Sequence, residues 1–317
     1  MGQVLASRLL EAGYPLAVYN RTREKAAPLA ERGAEIVDSP ADLADRDIVF
    51  TMVAGSADVE EVVAGPNGLL SGGEKTPRVI VDSTTISPSA AERIRATASE
   101  RGTAMLAAPV SGNPKVAGSG RLTIVVSGPR EAWLQARPYL EVFGPRVTYV
   151  GDGERARLVK ICHNLMLGVV AQCMAEITVL AEKGGVSRAD FLEFLNDSVM
   201  GSAFTRYKSP AYVNLDFTPT FTPELLLKDF HLGFEAAREL EVPMPLAAAA
   251  EQLIQGMAAL CGNDVDFAAL LELEARASGL ELRPENVEVD DGLSPVDPSP
   301  NGAPEAGSPT PLRPELR

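Results

Sequence analysis

Lys160 and Asn164 stand four residues apart within a long, largely apolar helical pattern, so they share one helix face. A charged lysine in such a stretch costs free energy unless it has a partner or water. At a domain junction it could meet a ligand, steady negative charge growing on an oxygen, and deliver a proton there. The competing reading is an interface lysine whose stem covers apolar surface while its head reaches solvent. Arg157 lies on the same side, as a second cation or a solvated neighbour. A second cluster is Ala108-Pro109-Val110-Ser111-Gly112-Asn113. Pro109 stiffens this loop, Gly112 lets backbone approach a ligand, and Ser111 adds a hydroxyl. Asn113 can both donate and accept there. The plain alternative is a Pro/Gly connector. Asp82-Ser83-Thr84-Thr85, by itself, is no more than a turn and helix cap.

These residues need elements to hold them. The first half alternates short apolar runs with helical patterns: runs at 16–19, 47–52, 78–81, 103–107, 122–126 and 147–150, with helices at 4–11, up to 31, 56–63, 87–101 and 130–143. That is the βαβ rhythm of a mostly parallel sheet. Ligands of open α/β sheets lie outside the carboxyl ends of strands, which is where 51–53 and 82–85 fall. From Glu154 to Lys183 runs one long helix, stopped by Gly184-Gly185, and further helices follow at 188–196, 223–240, 245–262 and 264–277. The expected architecture is an α/β Rossmann-type nucleotide-binding domain over 1–152 and an all-helical domain over 153–280. Residues 281–317 hold eight of the 24 prolines, eight acids and three arginines, and read as a disordered acidic tail.

Counting backwards exposes an oddity at the N-terminus. Leu16–Tyr19 followed by Asn20-Arg21-Thr22 has the look of a second strand and the turn that meets an adenosine ribose. Val4–Gly13 would then be the first helix, with Gly2 as the last glycine of a GxGxxG turn. The first strand and the rest of the turn fall before Met1, so the nucleotide domain is expected to be N-terminally truncated. A Rossmann variant that closes without that strand, or a non-functional remnant, are the alternatives.

Composition removes other classes. Lys+Arg total 29 against 43 Asp+Glu, a formal net charge of -14, which disfavours a general nucleic-acid binder. Three cysteines are an odd count for a disulfide framework and read as cytoplasmic thiols. Cys and His show no metal-ligand spacing. No run of 18 uncharged apolar residues and no signal peptide is apparent, so no membrane association is expected.

Together, Met1-Gly2, Asn20-Arg21-Thr22, Asp82-Ser83-Thr84-Thr85, Ala108-Pro109-Val110-Ser111-Gly112, Lys160-Ile161-Cys162-His163-Asn164 and Lys228-Asp229 resemble the β-hydroxyacid dehydrogenases. The likeness covers about residues 1–278. It implies hydride transfer between a nicotinamide and a carbonyl carbon, with Lys160 as the catalytic group that stabilises the oxygen and supplies its proton. It implies that Ser111 and Gly112 hold a substrate carboxylate and that Asn164 orients the substrate. Asn113 stands where a second glycine is more usual; as a substrate-binding residue it would narrow the pocket or contact the substrate, which puts the exact substrate in question. Gly2, Asn20, Arg21, Thr22, Met52, Val53, Thr85 and Lys228 are the implied cofactor contacts. Asn-Arg at 20–21 points to NADP (NADPH) rather than NAD, since an arginine can meet the 2′-phosphate. Solvated surface arginines are the bland alternative for Arg21 and Arg23. His163, where an asparagine is frequent, reads as structural or supporting. The resemblance further implies a small carboxylate-bearing substrate such as glyoxylate or succinic semialdehyde, with 3-hydroxyisobutyrate as the alternative. It also implies a homodimer or homotetramer and no metal. A non-catalytic interaction protein on the same fold is the competing class.

Overall fold

The computed structural model describes residues 1–71 and 73–293. The chain opens on α1 (Gly2–Glu11), then β1 (Ala17–Val18), α2 (Ala27–Ala30), β2 (Glu35–Ile36), β3 (Ile48–Thr51), α3 (Ser56–Ala64), β4 (Val79–Asp82), α4 (Pro88–Glu100) and β5 (Ala104–Ala107). Next come β6 (Val110–Ser111), α5 (Pro114–Gly118), β7 (Thr123–Val126), α6 (Arg130–Phe143) and β8 (Arg146–Tyr149). Helices complete the chain: α7 (Arg155–Lys183), α8 (Arg188–Asp197), α9 (Ala203–Asn214), α10 (Pro223–Glu239), α11 (Pro245–Cys261) and α12 (Leu270–Ala277).

The strands form three sheets. β1 pairs with β2; β3, β4 and β5 run parallel with β4 in the centre; β7 pairs antiparallel with β6 and parallel with β8. All four residues of β4 are buried, as the bare Val-Ile-Val run requires of a strand covered on both faces. An isolated bridge from Ala107 to Ser127 links the second and third sheets. β1 and β3 lie in one layer, because Leu16, Ile48 and Phe50 pack on one apolar cluster while Ala17 and Val49 belong to the other. Among the described residues no strand is hydrogen-bonded between them. Strand order thus follows the doubly wound pattern, without a strand in its innermost place.

α7 is the axis of the helical half and packs against α10, α11 and α12. Its length and hydropathy would let it cross a membrane, but half of its most apolar stretch is buried inside this fold. Helix starts follow local chemistry: the Ser87, Ser187, Ser202 and Thr222 side chains accept from backbone N–H groups of α4, α8, α9 and α10.

The expected disordered tail needs correcting at its start. Residues 281–293 form a strap. Glu285 accepts from the N–H groups of Arg188 and Ala189 at the head of α8 (2.7 and 3.0 Å), and Asn214 exchanges hydrogen bonds with Val287. Arg121 then donates to the Gly292 carbonyl at 2.8 Å, tying the strap to the α/β half. A Pro- and acid-rich composition conceals these specific bonds. The rest of the expected tail lies outside the described residues. Residues 200–202 lead into α9, with Ser202 as its cap, and Phe204 and Phe221 pack on Phe267 in the helical core.

Candidate active site

The loops at the carboxyl ends of β3 and β4 are laced together. Thr51 Oγ1 donates to Asp82 Oδ1 at 2.6 Å, and the Val53 N–H donates to Thr84 Oγ1 at 3.1 Å. Asp82, fully buried, receives Arg157 from α7 at 2.8 Å, while a second guanidinium nitrogen donates to the Thr84 carbonyl at 2.7 Å. Arg157 is itself buried and also pairs with Glu154, which pairs in turn with Arg95. It is therefore neither a free cation nor a solvated neighbour, but a clamp between the first helix of the helical half and the loop carrying Thr85.

Beyond that clamp runs a chain of polar groups. Ser111, at the end of β6, bonds His163 Nε2 at 2.9 Å. His163 Nδ1 bonds Asn164 Oδ1 at 2.8 Å, and Asn164 Nδ2 donates to Asp229 Oδ2 at 2.5 Å. Lys228 sits 3.7 Å from Asp229 and donates to the Thr85 carbonyl at 3.2 Å. The chain starts and ends on the α/β half and passes through α7 and α10. Asn164 and Asp229 are buried, and burial raises the Asp229 pKa above the ordinary carboxylate value.

Lys160 lies one turn before Asn164. It is half-buried and has no hydrogen bond or ion pair with any described residue. Desolvation lowers its pKa from 10.5 to about 8; the Asp229 carboxylate pulls it up and Lys228 pushes it down. The buried Asp229 Oδ1 likewise has no hydrogen-bond donor. An unpartnered cation near a carboxylate oxygen that has a distant ion pair with Lys228 but no hydrogen bond marks a place where a ligand's polar atoms fit.

The glycine at 112 has two local reasons. Its φ is +131°, and a Cβ there would stand 2.7 Å from Leu122 Cδ2. Asn113 caps α5 by accepting at Oδ1 from the Val116 N–H at 3.0 Å. Thr85 and Lys228 are brought together; Met52 and Val53 follow β3, and Gly2 begins α1, where a Cβ would meet Met52 at ordinary van der Waals distance. The first turn of α1 holds no acidic residue and no side-chain cap; Val4 and Leu5 N–H donate to the Met1 carbonyl, which leaves the Gly2 and Gln3 N–H groups to meet an anion. Asn20, Arg21 and Thr22 lie on the surface after β1; Asn20 donates to the Thr22 carbonyl, Arg21 pairs with Asp58 at 3.1 Å, and Arg23 pairs with Asp38.

Residues 1–151 match the NAD binding domain of 6-phosphogluconate dehydrogenase. Residues 154–273 match the family described as NAD-binding of NADP-dependent 3-hydroxyisobutyrate dehydrogenase. The chain is 34% identical over 275 residues to the uncharacterized oxidoreductase YfjR of Bacillus subtilis (strain 168), covering 86% of this chain and 96% of that one. The chain belongs to the β-hydroxyacid dehydrogenase family. A second member, 2-(hydroxymethyl)glutarate dehydrogenase of Eubacterium barkeri, is 32% identical over 284 residues, 89% of this chain and 94% of its own. Among solved structures, Psf3 in complex with NADP+ and 2-OPP superposes with a TM-score of 0.77 at 28% identity, covering 86% of this chain and 96% of that one. As a β-hydroxyacid dehydrogenase the protein is a nicotinamide-dependent oxidoreductase, with a Rossmann-like half followed by a helical half.

For two members of this site the sequence names the residue but not its partners. Helix spacing places Arg157 on the Lys160 side, but its partner Asp82 is 75 residues away and leaves no local signal. His163 reads as structural or supporting because neighbouring helical residues point about 100° apart. The angle holds for the Cβ atoms, yet the imidazole is long enough to reach Asn164 with one nitrogen and Ser111 with the other.

Proposed function

We propose that the protein is an NADPH-dependent reductase of short aldehydes or ketones bearing a carboxylate, glyoxylate and succinic semialdehyde being the leading candidates. The observation that carries this is the unpartnered Lys160 ammonium beside Asp229 and Lys228. Two ammonium groups against one carboxylate leave the site net positive, which suits an anion. When bound, the reduced nicotinamide supplies a hydride to the carbonyl carbon. Lys160 Nζ steadies the charge growing on the carbonyl oxygen and gives it a proton. A pKa near 8 places the ammonium close to the working pH, where a general acid is most effective. Ser111 and the Gly112 backbone hold the carboxylate, and the Asn164 amide orients the carbonyl.

The spacing supports a short substrate. Ser111 is bonded to His163, three residues after Lys160, which is roughly 4.5 Å along a helix axis. An anchored carboxylate and the carbonyl under Lys160 are therefore separated by few bonds. That spacing also accommodates 3-hydroxyisobutyrate, the second reading, which the match at 154–273 favours. Asn113, if it contributes, does so with the amide nitrogen left free by its cap.

For the cofactor, Gly2 and the head of α1 would receive the pyrophosphate, and Met52, Val53, Thr85 and Lys228 would line the nicotinamide side. Arg21 and Arg23 now hold exposed ion pairs, which are worth little and are readily exchanged for a 2′-phosphate. A homodimer or homotetramer fits the exposed apolar residues Met166 and Leu180 on α7 and Phe194 on α8. The three free cysteines fit a cytoplasmic location. The test is nicotinamide absorbance with NADPH and with NADH across these substrates. Faster turnover with NADPH and a short carboxylate-bearing aldehyde supports the reading; no turnover with any of them by a folded, cofactor-binding chain opposes it.

A further inference from the structure

Each hydrogen bond in the polar chain fixes the direction of the next. Asn164 Nδ2 must donate to Asp229, so its Oδ1 is the acceptor facing His163. His163 Nδ1 therefore carries the hydrogen, and in the neutral ring Nε2 offers a lone pair to Ser111. The Ser111 hydroxyl then points its proton at the ring and not at a ligand. Protonating the ring reverses this one bond. Nε2–H donates to Ser111 Oγ, and the serine proton turns free toward an anion.

We propose that His163 is a positioning residue for the substrate carboxylate: it sets which way the Ser111 hydroxyl donates, and its protonation releases that hydroxyl, with a positive charge behind it, to the bound anion. The inference rests on the reading of Ser111 as the carboxylate anchor. The charge acting on the ring is Lys160 on its own helix; on α10, Asp229 is reached through Asn164 and pairs with Lys228, and Lys115 lies on the short helix that follows Ser111. Burial and the Lys160 charge hold the ring pKa below its ordinary 6.5, so the free protein keeps His163 neutral at neutral pH. A bound carboxylate pulls it back up. Carboxylate affinity should therefore fall as pH rises through the ring's titration, while the proton-delivering step at Lys160 does not follow it.

With two histidines in the chain, ring-nitrogen NMR resolves both, and a His231→Gln variant assigns them. The expected spectrum shows His163 as the Nδ1–H tautomer at neutral pH, titrating below 6.5; an Nε2–H tautomer overturns the proposal without any kinetics. In the holoenzyme with NADPH, KM for glyoxylate should rise roughly ten-fold across that titration, the size of one charge-assisted hydrogen bond. Propionaldehyde, which lacks a carboxylate, should show no such rise. His163→Gln, which can still accept from Ser111 but cannot titrate, should flatten the KM profile and leave kcat within a few-fold, and Ser111→Ala should flatten it too. A wild-type KM that ignores pH, or a His163→Gln profile that still follows it, refutes the role. Lys160→Ala separates the two claims: if it leaves turnover intact, the reductase reading itself has failed, whereas its inactivity beside a flat wild-type KM sinks the histidine role alone.

Discussion

Replacing Lys160 with methionine should make the folded chain more stable and the enzyme inactive. Burial lowers the lysine pKa from 10.5 to about 8. At ~1.4 kcal/mol per unit, holding the ammonium charged in the fold costs about 3 kcal/mol at neutral pH. The residue is only half-buried, so about 2 kcal/mol is the better expectation. The sign follows from proton counting. A folded pKa below the unfolded one means that the unfolded chain holds more protons between pH 8 and 10.5. The Lys160 contribution to wild-type stability therefore rises with pH through that window, and the methionine variant lacks this gain. The difference between the two proteins should be about 2 kcal/mol in favour of methionine at neutral pH and shrink toward zero at the alkaline end. Urea denaturation of both proteins at matched pH values measures it. A variant that is no more stable at neutral pH, or a difference that does not change with pH, would refute the idea that Lys160 is held charged against desolvation.

Other expectations follow from the same contacts. Arg157→Leu leaves the buried Asp82 carboxylate without its cation and should cost about 3–5 kcal/mol in denaturant unfolding, with part recovered by adding Asp82→Asn. Arg21→Glu, which places an acid where a 2′-phosphate is proposed to sit, should weaken NADPH binding roughly ten-fold or more while sparing NADH; equal loss of both in titration calorimetry would count against the arginine's role. Glu285→Ala removes the two acceptors at the head of α8 and should lower stability by about 1 kcal/mol. An unchanged melting midpoint would mean that the strap at 281–293 is not bonded there.

The polar chain was half legible in the sequence. Lys160 and Asn164 declare themselves because a four-residue spacing in an apolar helix leaves little freedom in where they point. Lys228 and Ser111 stood out through the motifs around them, but their linkage through Asp229, Asn164 and His163 is a tertiary fact. Asp82 looked like a cap because Asp-Ser-Thr-Thr after a strand is ordinary turn chemistry; its ion pair with Arg157 depends on how α7 lies against the sheet. Asn113 departs from the family's pattern, and the cap its Oδ1 makes on the five-residue α5 is a local bond that the departure alone does not announce. α9 escaped because Pro210 and buried polar residues break its apolar pattern; one of them, Lys208, pairs with Asp266 at 2.6 Å. The α/β half was read from its alternation of runs; that β1 and β3 share no hydrogen bond among the described residues is a tertiary fact.

The central claim is that Lys160 delivers the proton in a nicotinamide-dependent reduction. The direct measurement is the pH profile of kcat/KM for NADPH oxidation by a short carboxylate-bearing aldehyde, in the wild type and in Lys160→Ala. The wild-type rate should fall as pH rises past about 8, because the reductive direction needs the ammonium, and the alanine variant should be slower by roughly 10²–10⁴-fold with that fall abolished. A Lys160→Ala enzyme within a few-fold of the wild type, or one that keeps the same alkaline fall, would contradict the account.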